Sequence, residues 1–466
     1  MELHRFSIQD ILVMMNAKEI SAREVVEYFL RRIDLINPDL NAIVSRNDQQ
    51  SLALAQIIDN KRASGEFLPV LAGIPFGVKD LERVSGFPTT YGSKLYATAE
   101  PSMSNSYLVQ RFMDLGAIPI AKTNTSEFGW KATTDNAVFG HTRNPYDIQR
   151  SSGGSSGGTA AAVSAGIIPF GTGSDGGGSI RIPSSACGIP GLKTTPGRIA
   201  SSISHAPEWW ELATGGPITR GILSTAWLYD LCVENDPLDM TSIPTKNNDW
   251  ACELTAGDSN LKVAISKDLG YWSTDKQILV HLDNVAEILS NHGYDVIEVA
   301  NIFDEQPYLT WAILTKVYLA RKFASILHTE NFAQLEDGLQ DMILEGTKIS
   351  GIEFVSALDK AWSMHRDYFG SLKGANVLIT PTTAGLAPLI GMAPTINSLA
   401  TSDWVSFTSF ANLLRIPAIS VPVGMTSDLL PVSVQIHGPR FGETTIMRLA
   451  KFIEEHTEMD FPNKYY

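Results

Sequence analysis

The residues able to do chemistry gather in one tract. From Arg150 to Gly197 the sequence reads RSSGGSSGGTAAAVSAGIIPFGTGSDGGGSIRIPSSACGIPGLKTTPG, dense in glycine and serine and almost free of charge. A serine hydroxyl becomes a nucleophile only when a base removes its proton and fixed donors stabilise the oxyanion that follows. Gly176-Gly177-Gly178-Ser179 puts a run without side chains directly before a serine. Backbone N–H groups from Gly176 to Ser179 can therefore turn together around a developing negative charge. Upstream, Lys79 ends the apolar run Leu71-Ala72-Gly73-Ile74-Pro75-Phe76-Gly77-Val78. Burial there disfavours the ammonium and lowers the lysine pKa toward the range where the amine accepts a proton. Asp80 beside it reads either as its partner or as a surface carboxylate.

Other short patterns fit inside the tract but lack their mechanical context. Gly171, Gly173 and Gly176 satisfy G-x-G-x-x-G after the apolar run 167–170, yet Pro183 is expected to interrupt the helix that must follow. No acidic residue lies between Asp175 and Glu208 to hold a ribose. Neither GGSSGG nor DGGGS ends in the Gly-Lys-Ser/Thr of a phosphate loop. G-x-S-x-G occurs at 153–157 and again at 154–158, but the polar stretch 146–152 is not the buried strand that a nucleophile elbow needs. Histidines at 205, 281, 292, 328, 365, 437 and 456 keep a Ser-His-Asp esterase as a lesser alternative. The nine histidines show no metal-ligand spacing, so no metal and no cofactor is expected.

A large α/β framework must position these residues. With 466 residues, 44% hydrophobic and 18% charged, the chain can bury a sizeable core. Apolar runs at 117–121, 167–170, 263–265, 296–299 and 377–379 alternate with helical stretches at 103–115, 276–292 and 442–455, which predicts a substantial, partly parallel sheet. In the glycine-rich tract Val163, Ile167, Ile168, Phe170, Ile180, Ile182 and Ile189 read as core, not linker. Ser7, and Ser21 with Glu24, start two helices within 7–37. The second turns Val25, Phe29, Ile33 and Ile36 inward and is expected to stop at Asn37-Pro38. The polar stretch 236–260 reads as a surface connection. One domain is preferred to a split near 250, because 377–379 and 416–436 look like strands returning to the first sheet.

Composition narrows the partners. Thirty-six basic against 50 acidic residues, a formal charge of −14, is the wrong sign for a direct nucleic-acid ligand. Cys187, Cys232 and Cys252 are sparse and lack Cys-x-x-Cys spacing, which fits a reduced, cytoplasmic compartment. No stretch offers about 18 uninterrupted apolar residues and no leader is evident, so no membrane partner is expected.

In order along the chain, GIPFGVKD at 73–80, TNTSEFG at 123–129, FGHTRNPYD at 139–147, GGSSGGTAAAVSAG at 153–166 and GTGSDGGGSIRIPSSACGIPGLK at 171–193 resemble the blocks of the amidase signature family of serine hydrolases. GPITR at 216–220, VLITPT at 377–382, IPAISVPVG at 416–424 and QIHGPRFGE at 435–443 continue the resemblance over nearly the whole chain. It implies a large mixed, mostly parallel central sheet flanked by helices on both sides, in a single domain spanning 1–466. Within it lie a catalytic core at about 70–235, a more helical insertion at about 260–370, and returning strands with a C-terminal helix at about 375–466. It also implies a Ser-Ser-Lys triad. Ser179 would be the acylated nucleophile, Ser155 the bridging serine behind a cis link from Gly154, and Lys79 the base.

The same likeness assigns the oxyanion hole to Gly176, Gly177, Gly178 and Ser179, substrate contacts to Gly129, Trp130 and Ser155, and organisation of the loop to Asp175 and Arg181. The family often has a Thr-Asp-Thr-like triplet before Gly-Gly-Ser. Here Ser174-Asp175-Gly176 stands there, and the extra glycine is expected to loosen the oxyanion loop. The implied reaction is hydrolysis of a carboxylic amide to a carboxylate and ammonia or an amine. The partner would be a small amide, the cofactor none, and a homodimer is left open. Trp130, with Trp209, Trp210, Trp311 and Trp404, would wall a small aromatic or apolar acyl group. The alternative is the A subunit of a glutamyl-tRNA amidotransferase, which releases ammonia for partner subunits. Its usual Ser-Ala-Gly-Tyr-Tyr-Asp-like segment is not found, and WSMHRDYFGSL at 362–372 looks like stand-alone amidases.

Overall fold

A strand covered on both faces reads as a continuous apolar run, without alternation. Pro75–Lys79 and Ile118–Thr123 are such strands in the computed structural model, with every residue buried. The structure describes residues 1–201, 208–244, 250–254, 261–462, 464 and 465. These two strands pair in parallel, and Pro75–Lys79 pairs in parallel on its other side with Gly171–Asp175. Antiparallel strands Ile43–Arg46 and Thr214–Ile218 form the edges of this five-stranded sheet. A six-stranded sheet runs Gly191–Lys193, Ala418–Met425, Pro431–His437, Val377–Pro381, Lys262–Ile265, Asp295–Glu298. The last three of these strands are mutually parallel and the other pairings antiparallel.

The α/β class with mixed strands and flanking helices is thus as expected, but one mostly parallel sheet is not what forms. Among the described residues there are two mixed sheets, besides the two-stranded ribbon of Thr395–Ile396 and Leu399–Ala400, and they touch where Gly191–Lys193 meets Thr214–Ile218. The physical reason is connection length. Ala418–Met425 turns straight into Pro431–His437, and a short turn can only make an antiparallel pair, whereas parallel neighbours need a long crossover. The apolar run 167–170 is not itself a strand. It leads into Gly171–Asp175, whose small residues let Thr159 and Ile168 close over Gly171 and Ile180 over Gly173.

Ser7 and Ser21 each cap a helix through a complete capping box. The helix Ala22–Leu40 buries Val25, Phe29, Ile33 and Ile36 as expected, but it runs through Asn37-Pro38. It ends at Asn41 in the left-handed region, where Asn37 Oδ1 accepts from the N–H groups of Ala42 and Ile43. Pro183 likewise does not break its helix. It sits in the first turn of Arg181–Ala186, where a backbone N–H has no helical partner to lose. Helices Tyr107–Asp114, Lys276–Asn291 and Glu443–His456 lie where the periodicity predicts. Much of the polar connection 236–260, and His205, lie outside the described residues. Among the described residues no helix is long and apolar enough to cross a membrane.

The helix Gly157–Ser164 follows Ser155 and Ser156 directly, so its seat positions both. Gly158 makes the seat: its N–H donates to the Asn124 carbonyl at 3.2 Å, and a Cβ there would lie 2.7 Å from the Ala42 carbonyl and closer still to the Asn124 backbone. Gly158→Ala should therefore cost about 1–3 kcal/mol in urea denaturation, the usual scale of overpacking, and should lower turnover by shifting the serines.

Candidate active site

Lys79 is fully buried at the end of its strand, its N–H donating to Thr172 Oγ1 at 2.9 Å. Its Nζ donates to Ser155 Oγ at 2.9 Å, Ser156 Oγ at 2.8 Å and Ser174 Oγ at 3.0 Å. Among the described residues no carboxylate forms an ion pair with it. Loss of hydration pushes the amine from 10.5 down to about 7, against the opposing attraction of Glu82 and Asp175. A neutral amine has two N–H donors and one lone pair, so one of the surrounding hydroxyls must donate to it. The Ser156 hydroxyl also donates to the Ser174 carbonyl at 3.4 Å, which leaves Ser155 and Ser174 better placed for that task. Asp80 does not serve Lys79. It lies 3.2 Å from Lys122 Nζ and accepts from the Thr90 N–H and hydroxyl, because the next side chain along an extended segment points the other way.

The Gly154–Ser155 peptide is cis. Ser155 is buried against Gly129, which has φ +76; a Cβ there would stand 3.3 Å from Ser155 Oγ and 2.9 Å from Leu81 Cδ1. Only glycine leaves the serine its position. The Ser156 N–H donates to the Ser179 carbonyl at 3.2 Å, joining the two serine segments. Ser179, Ser155, Gly129 and Trp130 all line one cavity of about 840 Å³. Lys79, Ser155, Ser156 and Ser174 make a hydrogen-bonded cluster, and Ser179, itself a lining residue of the cavity, joins it through its backbone carbonyl.

The glycine loop departs from expectation in two ways. The Gly178 N–H donates to Asp175 Oδ1 at 2.8 Å, so it is not free for an oxyanion. Available donors are the N–H groups of Gly176, Gly177 and Ser179, which have no acceptor among the described residues. Nor is the loop loose: Trp311 Nε1 donates to the Gly176 carbonyl at 2.8 Å and Thr408 Oγ1 to the Gly177 carbonyl at 2.6 Å. Asp175 and Arg181, both fully buried, anchor it. Arg181 grips both carboxylate oxygens at 2.9 and 3.0 Å and reaches on to the Thr408 carbonyl, Gln435 Oε1 and Asn412 Oδ1. Burial would raise the Asp175 pKa, but Arg181 and Asn412 hold it well below the ordinary carboxylate range.

Sequence reasoning missed Ser156, Ser174, Thr408 and Asn412. The two serines stood in the tract without a local sign to mark them, and Thr408 and Asn412 come from a distant, ordinary-looking segment. The tryptophans did assemble: Trp130, Trp209, Trp210, Trp311 and Trp404 all line the cavity, together with Trp272, Tyr91, Tyr107, Phe128 and Tyr308. Trp209 and Trp311 have ring centroids 6.1 Å apart. Among the described residues lining it there is no histidine. His437 is buried elsewhere, against Thr380 and Phe410.

A buried amine among hydroxyls, set at the carboxyl ends of parallel strands beside a cavity, is an arrangement suited to a hydrolytic enzyme of the α/β class. The family model described as Amidase matches residues 24–447, and the chain belongs to that family. Its reaction is hydrolysis of amide C–N bonds. The chain is 32% identical over 459 residues to an acylamidase of Rhodococcus erythropolis, covering 97% of this chain and 95% of that protein. It is 33% identical over 490 residues to the A subunit of the glutamyl-tRNA(Gln) amidotransferase of Geobacillus kaustophilus, covering 98% of each. Its fold matches the crystal structure of a bacterial aryl acylamidase of the amidase signature family with a TM-score of 0.92 at 25% identity, covering 100% of this chain and 98% of that one.

Arg181→Met would strand the Asp175 charge in the core and release the glycine loop. A loss of about 3–5 kcal/mol is expected, read as a lower denaturant midpoint, with turnover falling in the surviving folded fraction.

Proposed function

We propose that this amidase works through an acyl-enzyme on Ser179, with Ser155 as the proton bridge and Lys79 as the base. The observation that carries the reading is the buried Lys79 amine hydrogen-bonded to Ser155 Oγ, at the edge of the cavity that Ser179 also lines. The neutral amine takes a proton from Ser155 as Ser155 takes one from Ser179. Ser179 Oγ then attacks the amide carbonyl. The N–H groups of Gly176, Gly177 and Ser179 hold the oxyanion. Ser155 returns a proton to the departing nitrogen, without which an amide would not expel its leaving group. Water enters by the same relay and releases the carboxylate. The relay requires the Ser155 and Ser179 hydroxyls to come within hydrogen-bond reach once substrate fills the cavity, as catalytic contacts often do between the free and bound enzyme.

The aromatic lining favours an amide bearing an aryl group, in the manner of the aryl acylamidase whose fold this chain shares. The free cysteines, Cys187 and Cys232 buried and Cys252 exposed, suit a reducing, cytoplasmic location. The likeness to the A subunit of an amidotransferase supports a second reading, in which ammonia is delivered to partner proteins. Steady release of ammonia or amine by the purified chain alone, from simple aryl amides, favours the stand-alone enzyme. Inertness of the pure chain favours the second reading.

Ser179→Ala should lower kcat by about a thousandfold or more, and Lys79→Met by about a hundredfold or more. Mass spectrometry after a fluorophosphonate should locate the adduct on Ser179; an adduct on another serine would refute the assignment. Because the base is the unprotonated amine, activity should climb as pH rises through about 7 and fall away on the acid side.

A further inference from the structure

Glu82 lies in the turn that follows Lys79, its N–H donating to the Lys79 carbonyl at 2.9 Å. It is among the residues lining the cavity, yet its Oε2 is buried without a hydrogen-bond partner among the described residues. The other charges felt at Lys79 and Glu82, those of Asp175 and Lys122, already have ion-pair partners. Asp80 sits 3.2 Å from Lys122, and Asp175 sits 2.9 Å from Arg181. Lys122 also donates to the Glu82 carbonyl and to Thr89 Oγ1, so its donors are directed to those groups and to Asp80. That leaves the Lys79 amine and the Glu82 carboxyl, three residues apart across this turn, each outside an ion pair among the described residues.

We propose that the Glu82 carboxylate is the counter-charge for the Lys79 ammonium that forms whenever Lys79 takes a proton from Ser155. The inference rests on the role given to Lys79 above and makes Glu82 a positioning residue that acts through it. Its office resembles that of the carboxylate behind a catalytic imidazole, which stabilises the cation formed during proton transfer, except that here it acts through space. The charges felt at each group agree with this. Glu82 is the leading charge on Lys79, ahead of Asp175, and favours the ammonium. Burial pushes Glu82 up, opposed by Thr172, Lys79 and Lys122. No proton beyond those of the hydrolytic cycle is gained or lost.

A counter-charge has a two-sided signature. Without it the amine loses its proton at lower pH but is a weaker base once free. In Glu82→Gln the acid limb of kcat/KM should move down by about one pH unit, while the alkaline plateau falls by about threefold. The variant is then faster than wild type in acid and slower in alkali. Glu82→Asp should restore most of the wild-type profile and guards against a mere folding defect. Independently of turnover, the Lys79 resonance in ¹³Cε-lysine NMR of the full chain, assigned by its loss in Lys79→Met, should titrate about one unit lower in Glu82→Gln. Superimposable pH profiles with an unshifted resonance overturn the proposal. So does a uniform loss at every pH, which makes Glu82 structural, and so does a rise in KM confined to amine-bearing amides, which makes it a substrate contact. A shifted resonance with an unmoved acid limb overturns it differently: the charges are coupled, and the base role of Lys79 is what fails.

Discussion

The site depends on keeping one amine out of water. At Lys79 the lost hydration outweighs the attraction of the nearby carboxylates by about 5 kcal/mol, enough to bring the amine to about 7 from 10.5. Nothing in the first contact layer reverses this, because the partners at Nζ are hydroxyls and not carboxylates. A carboxylate in direct contact would have restored the ammonium and silenced the lone pair. The strand Pro75–Lys79, buried along its whole length between parallel neighbours, is what takes the amine that deep.

The second constraint is that the glycine loop be held without side chains of its own. A run of glycines is flexible by default, and preorganised donors are useful only if they need not be reoriented during reaction. Here the rigidity is borrowed. Asp175 turns the Gly178 N–H inward, Arg181 fixes Asp175, and Asn412 and Thr408 tie both to the far part of the chain. A fully buried ion pair is a poor source of net stability, since desolvation offsets most of the attraction. Its use here is geometric: it makes the loop's shape a property of the whole framework.

The aromatic lining of the cavity belongs to the same framework. Aromatic side chains from several remote segments converge on Ser155 and Ser179, and two of them also brace the catalytic loop, since Trp311 bonds the Gly176 carbonyl and Trp209 packs against Gly176. Cavity lining and loop support are therefore not separable here. A change in the aromatic wall alters the donors as well as the fit. Whole-length likeness to both an acylamidase and an amidotransferase component fits a framework shared among proteins of different function.

Much was legible in the residues alone. The apolar run before Lys79, the Gly/Ser tract and the order of the blocks identified the α/β class and the family, and pointed to residues that lie in or beside one cavity, because those depend on local composition and spacing. The capping boxes and most helices followed from the same local rules. What only the tertiary structure decided was which hydrogen bonds those groups make. It directed Gly178 to Asp175, gathered Ser156 and Ser174 around Lys79, sent Asp80 to Lys122, left Glu82 Oε2 without a partner, and divided the strands between two sheets. Each of these rests on contacts between segments far apart in sequence, and on backbone dihedrals that local spacing does not specify. Burial and direction are properties of the packed chain, and the pKa of Lys79 and the choice of oxyanion donors are set by them.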